Sequence, residues 1–244
     1  MFNMSERATP VSTNIPSIKC SILFLLVYLF AIIPLASGIM YLAVLAGLPS
    51  GIIKANLPEG ILTLQTILTA FMTYHLLRRY SFYLLSYSWK ADFIHYLRVG
   101  LKWAIPLLAI HMIALAIPDF RDKLIGDYLS IRIVSVKGIT NTSLVIFSAW
   151  VLFCAIFEEF IFRGIFLQKM TQVLNKNLSV CVVAGLFAFS HFAFSNIQTN
   201  VFTNAFLVGL FSGFAFVKTA SCISAILPHL LSNAVCIGFI LFIR

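Results

Sequence analysis

The chain has 244 residues, 61% hydrophobic and only 10% charged, with a mean hydropathy of +0.99. A soluble domain carries roughly a quarter charged residues, so the composition excludes an ordinary soluble fold. The formal net charge of +9 fits basic residues flanking membrane spans rather than a nucleic-acid footprint.

The expected architecture is all-α, a polytopic transmembrane helical bundle of seven spans. Taken in chain order, the apolar runs cover about 20–47, 57–77, 101–118, 142–167, 178–195, 200–217 and 222–243. Runs of this length cross the roughly 30 Å of bilayer hydrocarbon. The first run passes Pro34 and reaches Leu48 without an A-x-A site, so it reads as a retained span rather than a signal peptide. Between the second and third runs, Arg78, Arg79, Lys90 and Arg98 mix with Tyr80, Phe82, Tyr83, Tyr87 and Trp89, an interfacial composition. Residues 119–141 form the longest polar connection. The chain divides into an amino-terminal part, 1–141, of spans, interfacial segment and polar loop, and a carboxy-terminal part, 142–244, that carries the chemistry.

Lys and Arg counted on alternate sides give ten with the amino terminus and six opposite, which predicts a cytosolic amino terminus. The short chain, without an added targeting or soluble domain, points to a bacterial cytoplasmic membrane. Cys20, Cys154, Cys181, Cys222 and Cys236 show no CxxC and no paired spacing and read as small core residues.

The run SLVIFSAWVLFCAIFEEFIFRGIFL, 143–167, contains three charges, Glu158, Glu159 and Arg163. Ionisable residues at bilayer depth are costly and mark sites by default. Glu159 and Arg163, at i and i+4, are natural ion-pair partners, which leaves Glu158 free to face water. His191 lies in the next span, and His229 and Asn233 share one face of the last. At about 1.5 Å per helical residue, Glu158 is about 15 Å deep, His191 about 20 Å and His229–Asn233 about 11–17 Å, so the three helices bring polar groups to one level. A carboxylate and an imidazole sharing a water can act as general base and then general acid. A second His and an Asn amide can donate to a developing oxyanion. Glu158 with His191 therefore reads as the water-activating pair, His229 and Asn233 as the oxyanion donors, and Glu159–Arg163 as support. Pro228, just before His229, predicts a loosened turn beside a wet pocket.

The ordered set E-E-x-x-x-R (Glu158, Glu159, Arg163), F-x-x-x-H (Phe187, His191) and H-x-x-x-N (His229, Asn233) resembles the CPBP family. That family comprises type II CAAX prenyl endopeptidases and bacteriocin-processing or self-immunity proteins. The resemblance covers about 140–244 and departs nowhere from the motif set. It implies an intramembrane glutamic endopeptidase in which Glu158 and His191 activate water, His229 and Asn233 form the oxyanion hole, and Glu159 and Arg163 support the site. It further implies a membrane-associated peptide substrate, such as a prenylated tail, a leader or a sorting anchor, and no cofactor.

Other readings follow from the same residues. Glu158, His191 and His229 could hold zinc as a two-His, one-carboxylate set, although Asn233 stands where a second His of an H-x-x-x-H pair would be. A non-catalytic immunity or scaffold protein would use the same fold to bind. Intramembrane Glu and His also build proton relays, but the paired halves of a transporter are not seen. Gly209 and Gly213 read as close helix packing, His111 as structural, and His75 and His95 as interfacial. The bilayer is the expected surrounding; oligomeric state leaves no sequence signal.

Overall fold

The computed structural model of the protein describes residues 67, 71, 74, 92–119, 121, 141–192 and 199–242. Among the described residues the fold is helical, with no strand. Helix α1 is Phe93–Ala116, α2 is Asn141–Glu159, α3 is Lys176–Phe192, α4 is Thr199–Thr219 and α5 is Cys222–Phe242. Among the described residues, three stretches are long and apolar enough to cross a membrane: Phe93–Ala116, Phe202–Thr219 and Cys222–Phe239. Lys176–His191 is a shorter apolar helix.

The expected spans at 20–47 and 57–77 lie outside the described residues except at Ile67, Phe71 and Tyr74, and Cys20 and His75 also fall outside. Those three residues are helical and 57–59% exposed, and their i, i+4, i+7 spacing makes one apolar face. The polar connection after residue 119 is likewise outside, apart from Arg121. Helix α1 begins eight residues before the expected 101, because Phe93–Arg98, read as interfacial from composition, forms its opening turns. Interfacial residues do not stop a helix, and Asp92 stands at the N-cap position without a side-chain cap bond. Exposed His95 lies in these turns.

The span expected at 142–167 is α-helical only to Glu159; Phe160–Leu167 continues as a π-helix, closed by the α-turn Gln168–Met170. Every residue from Ile161 to Leu167 is buried. Asn175 starts α3 by accepting the Leu178 N–H on its side chain at 2.9 Å, an N-cap bond. Helices α4 and α5 are joined through Ala220, with φ 53°, and Ser221, whose hydroxyl accepts the Ile223 N–H at 3.3 Å.

Side-chain contacts fix helix directions. Phe162 meets Phe187 edge-on at 5.0 Å between ring centroids, and Glu158 lies beside His191, so α2 with its π continuation runs antiparallel to α3. A Cβ on Gly209 would sit 2.9 Å from Ala184 Cα, and one on Gly213 would sit 2.8 Å from Val180 Cγ1. Helices α3 and α4 are thus antiparallel and in backbone-close contact, as the G-x-x-x-G spacing predicts. Pro228 lies within continuous α5 and is fully buried, so the expected loosening does not interrupt the helix. The shared core includes Phe157, Phe162, Phe187, Val183, Val208 and Phe216.

Candidate active site

The two adjacent carboxylates end the α-helical part of the span, and the π segment starts at the next residue. Such wide turns occur preferentially at functional sites. They re-aim successive side chains, and here Arg163 is turned fully inward, with no exposed surface. Its Nη1 lies 3.0 Å from Oε1 of Glu159, itself fully buried. Nη2 donates to the Gly209 carbonyl at 3.0 Å. The guanidinium also stands 4.7 Å over the Phe187 ring centroid, a cation–π contact. Arg163 thereby ties α2 to α3 and α4, and the absence of a side chain at Gly209 is what lets α4 come close enough.

Glu159 does more than the i, i+4 pairing predicts. Its Oε1 is also 2.8 Å from Nδ1 of His229. A carboxylate only accepts, so this ring nitrogen donates, and the bond directs Nε2 of His229 towards Glu158, 3.8 Å from its Oε2. On the other side, Nε2 of His191 lies 3.8 Å from the same oxygen. Nδ1 of His191 donates to the Phe187 carbonyl at 3.0 Å, so in the neutral ring its Nε2 carries the lone pair. Both imidazoles therefore aim Nε2 at one carboxylate oxygen.

Separations of 3.8 Å are too long for direct hydrogen bonds and invite an intervening water. Glu158 side-chain exposure is 11% and that of His191 is 25%, so the approach lies on the His191 side. Phe187 packs on both rings, with centroids 4.6 Å from His191 and 5.5 Å from His229, and holds them apart. Oε2 of Glu159 is buried with no hydrogen-bond donor among the described residues, a polar position of the kind ordered water satisfies.

Glu158, Glu159, Arg163, His191 and His229 thus converge. Asn233 lies one turn beyond His229 on the same helix and is half-buried. The sequence reading missed two participants: the Gly209 carbonyl, which had no signal beyond G-x-x-x-G, and the Glu159–His229 bond, because Glu159 was expected to pair with Arg163 alone. Cys154, Cys222 and Cys236 are buried and Cys181 is exposed, and none of the four is in a disulfide among the described residues.

The donor types at Glu158, His191 and His229 are those zinc accepts. Among the described residues, however, no three His, Cys, Asp or Glu side chains are grouped closely enough to hold a metal ion. Donors on a tetrahedral zinc at about 2.0–2.1 Å lie about 3.3 Å apart, and 3.8 Å is wider than that on both sides of Glu158.

Residues 140–235 match the family model of the Rce1-like type II CAAX prenyl endopeptidases, in agreement with the resemblance carried by the motifs. The matched stretch includes Glu158, Glu159, Arg163, His191, His229 and Asn233, and the model describes a protease family. No curated protein and no solved structure matches the chain.

Proposed function

We propose that the protein is an intramembrane endopeptidase that hydrolyses a peptide bond in a membrane-associated substrate with a water activated by Glu158 and His191. The observation that carries this is the placement of two imidazole Nε2 atoms, each 3.8 Å from the same carboxylate oxygen of Glu158, inside the stretch that matches a protease family. A water between Glu158 and His191 loses a proton to this pair and attacks the scissile carbonyl. The same groups then return a proton to the leaving amine.

The developing oxyanion takes hydrogen bonds from His229 and Asn233. Because His229 Nδ1 donates to Glu159, its Nε2 donates only in the imidazolium form, whose charge the two neighbouring carboxylates balance. Arg163 in turn neutralises Glu159. The reaction needs no metal in this reading; zinc on Glu158, His191 and His229 is the alternative, and it would supply the water activation instead.

The substrate is a peptide segment held at the bilayer: a prenylated carboxy-terminal tail, a leader peptide or a sorting anchor. The apolar helices and the basic-residue bias support a multi-pass protein of a bacterial cytoplasmic membrane with a cytosolic amino terminus. The test compares peptide termini by mass spectrometry in membranes from cells making wild-type protein or Glu158→Gln at matched abundance. Ends found only with wild type identify substrate and bond together, and purified protein must then reproduce the cut. Identical profiles would favour a non-catalytic immunity or scaffold protein.

A further inference from the structure

A second buried polar cluster lies one helical turn from His229 and belongs to none of the motifs. His111 of α1 is 2% exposed. Its Nδ1 lies 2.8 Å from the Leu107 carbonyl, which can only accept, so Nδ1 is the donor. Its Nε2 meets two other helices, the Asn204 side-chain amide of α4 at 2.6 Å and the Ser232 hydroxyl of α5 at 3.2 Å. In the neutral ring Nε2 accepts from the Ser232 O–H; Asn204 faces it with Oδ1, and rotation of that amide, whose O and N ends are interchangeable, brings its N–H to Nε2 instead.

The cluster joins α1, α4 and α5 at a single layer. Helices α1 and α5 run parallel, with Gly100 against Ser224 and Leu227, His111 against Ser232, and Leu115 packed with Cys236. Helix α4 runs antiparallel to α1, with Trp103 stacked on Phe214 and His111 on Asn204. Apolar side chains sliding in hydrocarbon exchange one apolar contact for another, whereas a polar bridge at one layer has a single matching register. The register matters because α5 carries His229 and Asn233. A slip of one residue moves His229 by about 1.5 Å and turns it by about 100°, enough to end both its bond to Glu159 and its approach to Glu158.

We propose that His111 is a positioning residue: by bridging Asn204 and Ser232 it sets the register of α5 that presents His229 and Asn233 to Glu158. The effect on catalysis rests on the proteolytic reading above, whereas the effect on His229 geometry does not.

The test therefore has two readouts on the full chain in lipid bilayers. The first is the 15N resonance of His229 Nδ1 in histidine-labelled protein, assigned by its loss in His229→Ala. The second is steady-state cleavage of the peptide identified with Glu158→Gln. His111→Phe removes the bridge and keeps a ring, His111→Gln restores a polar group near the Nε2 position, and Ser232→Ala cuts only the tie to α5. The expected result is a displaced His229 resonance in His111→Phe and Ser232→Ala. With it, kcat falls at least tenfold while KM stays within twofold, and His111→Gln recovers most of both. Misplacements near 1 Å are known to lower rates by about 100-fold.

An unchanged His229 resonance in folded Ser232→Ala or His111→Phe overturns the proposal, as does a loss that His111→Gln leaves uncorrected. Should His111→Phe fail to fold, Ser232→Ala decides alone. Absence of any peptide end specific to wild type would instead sink the proteolytic reading, and the resonance would still decide the positioning role.

Discussion

Nδ1 of His229 donates to Oε1 of Glu159 at 2.8 Å, on the same oxygen that Arg163 Nη1 approaches to 3.0 Å. The second glutamate of the pair is therefore the joint between the ion pair and the site's second imidazole. It orients His229 much as a buried carboxylate orients the histidine of a serine-protease triad. The two adjacent glutamates thus divide: Glu159 is fully buried and supports, and Glu158 faces the more open His191.

Removing Arg163 strands a buried carboxylate. Breaking a buried pair in this way costs about 3–5 kcal/mol, so Arg163→Ala should lower folded yield as well as activity. Arg163→Lys should recover part of the yield but lose the Gly209 carbonyl bond or the Glu159 contact, since one ammonium does not reproduce the guanidinium fork. Yield by size-exclusion chromatography and activity at equal folded protein separate the two. Normal values for Arg163→Ala would show the pair to be dispensable.

Glu158 and His191 are expected to behave differently from Arg163. Glu158→Gln keeps shape and a polar group, with an N–H donor in place of one carboxylate acceptor, and His191 is partly exposed, so both Glu158→Gln and His191→Ala should fold at near-normal abundance. General acid–base groups contribute about 100- to 10,000-fold, and each variant should lose at least that much cleavage. Near-wild-type turnover by either would remove that residue from water activation.

Gly185 and Gly209 make opposite predictions about alanine. Nothing lies within 4 Å of a Cβ on Gly185, whereas a Cβ on Gly209 would meet Ala184 Cα at 2.9 Å. Gly185→Ala should therefore raise stability by about 0.5–1 kcal/mol through lower chain entropy. Gly209→Ala should lower it by about 1–3 kcal/mol by forcing α3 and α4 apart, and should reduce activity because Gly209 also accepts from Arg163. Thermal unfolding in one detergent orders the three proteins. Equal stability of wild type and Gly209→Ala would contradict the close packing.

Much of the site was legible because polar side chains stand out in a chain this apolar. Counting residues from span ends was enough to put Glu158, His191 and His229 at one level, and the antiparallel contacts between α2 and α3 realise that alignment. The π-helical stretch from Phe160 to Leu167 was not legible. Phe, Ile and Leu carry no π preference, and the turn is wide where Arg163 is held at once by Glu159 and the Gly209 carbonyl, contacts between distant parts of the chain. The His111 cluster escaped for a related reason: its partners, Asn204 and Ser232, are ordinary residues within apolar runs and become notable only when α1, α4 and α5 pack together.

Asn233 sits one turn beyond His229, and its expected role is to donate to the oxyanion rather than to activate water. Loss of one such donor typically lowers kcat by about 100- to 1,000-fold. Asn233→Ala should fall in that range with KM little changed, leaving more residual activity than Glu158→Gln. Asn233→Asp should be no better than alanine, since a carboxylate cannot donate. A rate equal to wild type in either variant would take Asn233 out of the oxyanion hole.

The choice between a carboxylate-activated and a zinc-activated water makes a separate prediction. In the metal-free reading, purified protein treated with a chelator and exchanged into metal-free buffer keeps its full cleavage rate, and added zinc gives no gain. In this reading a water bridges the 3.8 Å gaps beside Glu158 Oε2. Loss of the rate on chelation, with recovery on stoichiometric zinc and not on magnesium, would instead make Glu158, His191 and His229 ligands. Glu158→Gln would then have to lower zinc content in parallel with activity, which elemental analysis of the purified variant measures directly.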